Sequence, residues 1–208
     1  TIVAALALGM AGSMASAAAD GSDPPEPLET FQRSEDRLFR VGYRLATANA
    51  AFCDQTVRVS GLLIHDAGSY SDPAAVRRQF GLLGDIGLQA VAPLSPADAA
   101  GIRQNDTILA IDGRTIETEW PLTDPRWQRV TALRDAIDDA LSRGTLDLSL
   151  SRAETPALAA SIIGVPACPT RFELVDSESS AAADGERVLV GENFPGLAYD
   201  EASFAAAI

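Results

Sequence analysis

The chain has 208 residues, enough for one domain with appendages or for two small domains. With 47% hydrophobic and 22% charged residues it has the composition of a globular protein, which excludes a wholly disordered chain. A formal net charge of -13 argues against nucleic acid or an anionic membrane surface as a partner, and every basic residue is arginine. Thr1–Met14 is an apolar run rich in Ala and Leu, followed by small residues through Ala19 and then Asp20. That is the hydrophobic and cleavage region of a secretory signal peptide, with Ala15-Ser16-Ala17 or Ala17-Ala18-Ala19 satisfying the small-residue rule. A transmembrane anchor needs about 18 to 20 apolar residues, more than this run supplies. The basic leader and initiator methionine are absent, so residues 1–19 are expected to be a signal peptide clipped at its N-terminus. The expected location is periplasmic or otherwise exported, with membrane contact only through that segment. Residues 20–27 are acidic and Pro-rich, the composition of a flexible tether.

Residues 28–56 change character. Phe31, Leu38, Val41, Leu45 and Ala48 recur at helical steps, predicting a long amphipathic helix over Leu28–Phe52 with Glu35, Asp36, Arg37 and Arg40 on its wet face. Val57–His65 alternates and reads as one strand with Gly61 inside it. Asp66–Gly84 is polar, with a short helix over Ala74–Phe80. Next comes G-L-Q-A-V-A-P-L-S-P-A-D-A-A-G-I-R-Q-N-D-T-I-L-A-I-D-G at Gly87–Gly113. It predicts a strand up to Pro93, a short helix, a turn at Asn105-Asp106, a strand over Thr107–Ile111 and the Asp112-Gly113 turn. Ser95 can cap that helix, Pro96 fits its first position, and Gly101 can turn left-handed past its end. Thr115–Pro125 reads as loop or short strand. Trp127–Arg143 is helical, with Val130, Leu133, Ile137 and Leu141 on one face and Gly144 at its end. Thr145–Ser151 alternates as a strand. Beyond it come an Ala-rich segment to Gly164, a strand at Arg171–Val175, another at Arg187–Val190, and a helix at Glu201–Ile208 capped by Asp200.

The Gly87–Gly113 stretch resembles the middle of a PDZ domain, whose usual form is V-x-P-x-S-P-A-x-x-A-G-Φ-x-x-x-D-x-I-x-x-Φ-x-G. The element order extends the likeness over roughly Val57–Ala153. The fold class this implies is α+β: a PDZ-like partly open β-barrel with two helices at 57–153, an N-terminal amphipathic helix, and a C-terminal strand and helix fragment at 154–208. A PDZ domain binds an extended peptide by adding it as a strand beside its second strand, against the helix that closes the groove. The peptide's terminal carboxylate rests on main-chain N–H groups of a loop where glycine permits close approach. Here Val59-Ser60-Gly61-Leu62-Leu63-Ile64 is the matching segment. The resemblance implies that Gly61 and the amides of Leu62 and Leu63 hold a carboxylate, that Ile64 continues the strand, and that Val130, Leu133 and Ile137 face the groove or the core beneath it. Ser60 departs from the aromatic or Leu that many bacterial members carry before the glycine. Read from the residues alone, Leu62, Ile64 and Leu133 are equally core residues.

Tyr199–Ile208 resembles the approach to the zinc-binding helix of HtpX-like metallopeptidases, where D-E-x-x-Φ-A-A-x-Φ runs into A-H-E-x-x-H. Asp200-Glu201, Phe204, Ala205, Ala206 and Ile208 match, and the histidine motif itself is absent. The resemblance therefore implies the non-catalytic part of an exported zinc metallopeptidase, with 154–208 the start of an incomplete peptidase domain. Zinc would belong to the full-length protein, and no cofactor to this chain. The rival readings are a stand-alone periplasmic PDZ scaffold, and a structural module whose groove is closed by Leu28–Phe52 or by part of Asp66–Gly84. The substrate-recognition region of an HtrA-type serine protease fits less well, because that family places the PDZ domain after its catalytic domain. The expected partners are C-terminal or internal extended segments of peptides or proteins.

Cys53 and Cys168 flank the PDZ-like region; they are either a disulfide closing a loop of more than 100 residues or two unrelated buried thiols. Two cysteines and one histidine cannot fill a zinc shell. That histidine, His65, lacks a nucleophile and an orienting carboxylate on its own face, since neighbouring strand residues point to opposite sides. It reads as a loop or strand-end residue. Asp138-Asp139 and Asp176–Glu178 read as solvated faces.

Overall fold

The computed structural model describes residues 27–153, 155, 157–176 and 178–208. The expected signal peptide at 1–19 and nearly all of the expected tether at 20–27 lie outside the described residues. α1 (Pro27–Ala48) is the expected amphipathic helix, followed by a single 3-10 turn at Ala50–Phe52. The strand read as continuous over Val57–His65 is two strands, β1 (Val57–Val59) and β2 (Leu62–Asp66). Gly61 breaks it: its φ of +83° is a left-handed conformation that interrupts pleating, and β1 leaves to pair elsewhere. α2 (Pro73–Phe80) is capped by Asp72, whose carboxylate accepts from the Ala75 N–H, and closes on Gly81 in the left-handed region.

β3 (Ile86–Val91), α3 (Pro96–Ala99) and β4 (Thr107–Ile111) fall where the motif places them. Ser95 Oγ accepts from the Asp98 N–H at 3.2 Å, and Asp98 in turn accepts from the Leu94 N–H at 2.8 Å. β5 (Arg114–Thr115) pairs back on β4 through the Asp112-Gly113 turn, and α4 (Ile116–Glu119) follows. α5 (Trp127–Arg143) has the predicted bounds, and β6 (Leu146–Ser151) follows it. The Ala-rich stretch forms β7 (Leu158–Ile162) and β8 (Val165–Ala167). The chain then makes β9 (Arg171–Val175), β10 (Ala181–Ala183), β11 (Arg187–Gly191) and α6 (Glu201–Ala207).

Three sheets result. The largest runs β2-β3-β4-β6-β7, with β5 on β4; β1 pairs with β8; and β9 pairs parallel to β11, which pairs with β10. In the large sheet Ile64, Leu88, Ile108, Leu148 and Leu150 turn to one face, where α5 covers them with Leu133, Ile137 and Leu141. α1 packs on the opposite face of β3 and, by its other side, on the small sheet. Leu38 and Val41 there join Val188, Val190 and Phe204 in a second core. Gly42 permits that approach, because a Cβ there would overlap the Phe172 ring. Thus 171–208 shares a core with α1, while β7 extends the large sheet past Ala153. A disulfide joins Cys53 to Cys168, with Cα atoms 5.7 Å apart, beside the β1–β8 ribbon. The Cys168 amide also donates to the Ala46 carbonyl at 3.0 Å, tying α1 to the same point.

Candidate functional site: an open strand edge beside a helix

Among the described residues β2 is an edge strand: β3 is its one neighbour in the sheet, and α5 stands off its other side. Which main-chain groups face outward follows from the bonds at its ends. The Ala92 N–H donates to the Gly61 carbonyl at 2.9 Å, and the Ala67 N–H to the Asp85 carbonyl at 2.7 Å. Leu88 spends both main-chain groups on the turn that leads into β4, donating to the Asp106 carbonyl and accepting from the Asn105 N–H. Antiparallel pairs alternate between bonded and non-bonded, so Leu62 opposite Val91 and Ile64 opposite Leu88 are non-bonded pairs. The N–H and C=O of Leu62 and of Ile64 therefore point away from β3 into the open edge. A bulge between Leu63 and Ile64 sets Gln89 and Ala90 against Leu63, and it lies in β3, leaving the outer edge regular.

At the start of this edge the Gly61 N–H has no backbone partner among the described residues, whereas the Ser60 carbonyl accepts from Ala97. Ser95 packs against Gly61 so closely that any Cβ would overlap it. The glycine thus serves close approach as well as the turn. On the core face Ile64, Leu133 and Ile137 are buried and Leu62 and Val130 partly so, forming one cluster. Five of the residues expected to form the groove are brought together by the fold. Leu63 departs from the expectation that its amide holds a carboxylate: it stands in a bonded pair with Ala90, so its N–H faces β3, and its side chain points away from the groove.

The far end of the edge is held by charge. Arg129 of α5 donates Nε to Asp66 at 2.7 Å and pairs a second time with the same carboxylate through Nη2, which also reaches Asp85 at 2.9 Å. Asp66 further accepts from the Gly68 N–H at 2.8 Å, and Arg126 donates to the Gly68 and Tyr70 carbonyls at 3.1 Å. This network fixes the end of β2 to the start of α5 and so sets the width between them. Burial alone would push the Asp85 carboxyl up, but hydrogen bonds from Arg129 and Arg77 hold it below its ordinary value. No sequence pattern announced these partners, which lie 63 residues apart.

His65 sits on β2, buried beside Phe80 and Tyr70 with ring centroids 5.7 Å and 6.4 Å away. Neither ring nitrogen has a hydrogen-bond partner among the described residues. Burial, only partly opposed by the Asp66 charge, lowers its pKa from 6.5 to about 4, so the ring is neutral. Asp66 points to the opposite face, toward Arg129, so the two form no catalytic pair.

On the Leu63 face, a cavity of about 210 Å3 lies between β2, Glu35 and Leu38 of α1, Arg134 of α5, and Phe172 to Leu174 of β9. Glu35, expected on the wet face of its helix, is turned inward and accepts from the Gln89 side chain. The reason is that α1 is covered on two sides, by the large sheet and by the small one. Burial pushes the Glu35 carboxyl above its ordinary value, against the opposing pull of Gln89 and Arg134. Among the described residues no cluster of His, Cys, Asp and Glu suits a metal ion, and no helix is long and apolar enough to cross a membrane.

The fold and site define an α+β protein with an unpaired strand edge flanked by a helix. No family profile matches the chain, and no curated protein matches it. Among solved structures, the crystal structure of the HtrA3 PDZ domain bound to a phage-derived ligand (FGRWV) is similar at 24% identity and a TM-score of 0.37, covering 54% of this chain and 86% of that one.

Proposed function

We propose that residues 57–153 are a PDZ-like module that binds extended peptide C-termini by strand addition at β2. One observation carries this reading: the outward main-chain groups of Leu62 and Ile64 beside α5. An added strand would exchange hydrogen bonds with those two residues, and its terminal carboxylate would accept from the Gly61 and Leu62 amides. Its last side chain would enter between Leu62, Val130, Leu133 and Ile137. The assay is selection from a displayed library of random C-terminal heptapeptides, followed by titration of each binder with a free carboxylate and as its amide. Binders that weaken on amidation support the proposal. No binder tighter than millimolar, or indifference to amidation, refutes it.

We extend the proposal to context: an exported protein in which this module recruits substrates to, or regulates, an HtpX-like zinc metallopeptidase. Its support is the resemblance at Tyr199–Ile208 and the apolar run at Thr1–Met14, both features of the sequence. An H-E-x-x-H motif shortly after Ile208 in the gene would uphold it, and a reading frame without one would remove it.

A further inference from the structure

This inference rests on β2 accepting a peptide. In an added antiparallel strand, the residues opposite Leu62 and Ile64 share their main-chain bonds. The residue between them stands opposite Leu63 and sends its side chain out on Leu63's face. With the carboxylate at Gly61, the last residue lies beside Leu62 and the penultimate one beside Leu63. That face is not left to solvent, because α1 and β9 wall it and enclose the cavity of about 210 Å3. The space exceeds the roughly 30 Å3 share of one water several-fold, room for a side chain.

Its chemistry is mixed but not neutral in effect. Leu38, Leu63 and Phe172 supply apolar wall. Glu35 has one oxygen on Gln89, while among the described residues Oε1 has no hydrogen-bond partner and the carboxylate makes no ion pair. Glu173 on the facing wall has one long ion pair, 3.7 Å to Arg187. Arg134 opposes them, but it is exposed and screened by water, whereas Glu35 is half-buried and less screened. A carboxylate with an open oxygen, beside apolar walls, suits a long side chain with a cationic head.

We propose that this cavity is a pocket for the penultimate residue of the bound peptide and selects arginine or lysine there, arginine the better. The pocket is made by α1 and β9, elements outside the strand-and-helix groove itself. The test uses the full chain and the same displayed heptapeptide library. Selected peptides are expected to be enriched in arginine and lysine at the penultimate position, and replacing that residue by alanine should weaken binding about tenfold or more. Against Glu35→Gln the same replacement should cost less than about threefold. Should Glu35→Gln fail to fold, the alanine and glutamate versions of each peptide on the native chain, and Glu173→Gln, decide the matter. Binders with no penultimate preference, or an acidic one, overturn the pocket and leave strand addition standing. A library that yields no binder removes both.

Discussion

Replacing Arg129 by methionine removes the one cation buried against Asp66, whose side chain is wholly inaccessible while that of Arg129 is 6% exposed. Methionine fills much of the same volume, so the chief effect is an uncompensated carboxylate in the interior. Asp85 retains Arg77 and is partly open to water, so it contributes less. Breaking one side of a buried pair costs about 3–5 kcal/mol, a large share of the roughly 5–15 kcal/mol that holds a domain folded. Urea unfolding followed by tryptophan fluorescence should show the midpoint falling with the slope unchanged. Arg129→Met combined with Asp66→Asn removes the orphan charge and should recover about half of the loss. A single-variant loss under about 1 kcal/mol, or a double variant no better than the single, would refute the claim that this network anchors β2 to α5.

Three further outcomes follow from the same geometry. His65 is neutral when folded and takes a proton more readily when unfolded, so the stability it contributes is whole above pH 6.5 and is lost as pH falls toward about 4. The difference amounts to about 3 kcal/mol, and it should appear as the gap between native and His65→Leu unfolding curves measured across that window; parallel curves would contradict the burial argument. Reducing Cys53–Cys168, which closes 115 residues of sequence, should lower stability by up to about 5 kcal/mol by loop entropy, read as the shift in urea midpoint with and without reductant. Gly61→Ala should destabilise by about 1–3 kcal/mol in the same assay, because its φ is positive and its Cβ would meet Ser95; an unchanged midpoint would show that the turn is not as tight as described.

Local chemistry was the legible part. Ser95, Pro96, Gly101 and Asp112-Gly113 carry their own caps and turns, so the middle of the domain reads directly from residue types. α5 and α1 show in their apolar spacing. What escaped depends on partners distant in the chain. Val57–His65 alternates without interruption, and its break at Gly61 arises because β1 pairs with β8, over 100 residues away. The Ala-rich residues of β7 have little intrinsic strand preference and are recruited by β6. Glu35 looks solvated on a helix with one apolar face, and is turned inward only because a second sheet covers α1. Arg129 in a helix and Asp66 at a strand end carry no spacing that links them. The candidate edge itself was found by resemblance, whereas its outward pattern at Leu62 and Ile64 emerged from bonds made by Ala92, Leu88 and Ala67.

Amide hydrogen exchange along β2, resolved residue by residue with and without a selected peptide, tests the strand-edge account most directly. In the free protein the Leu62 and Ile64 amides should exchange fast while those of Leu63 and His65 are protected, and peptide should protect the first pair. Slow exchange at Leu62 and Ile64 before any peptide is added, or fast exchange that a bound peptide leaves unchanged, would contradict it.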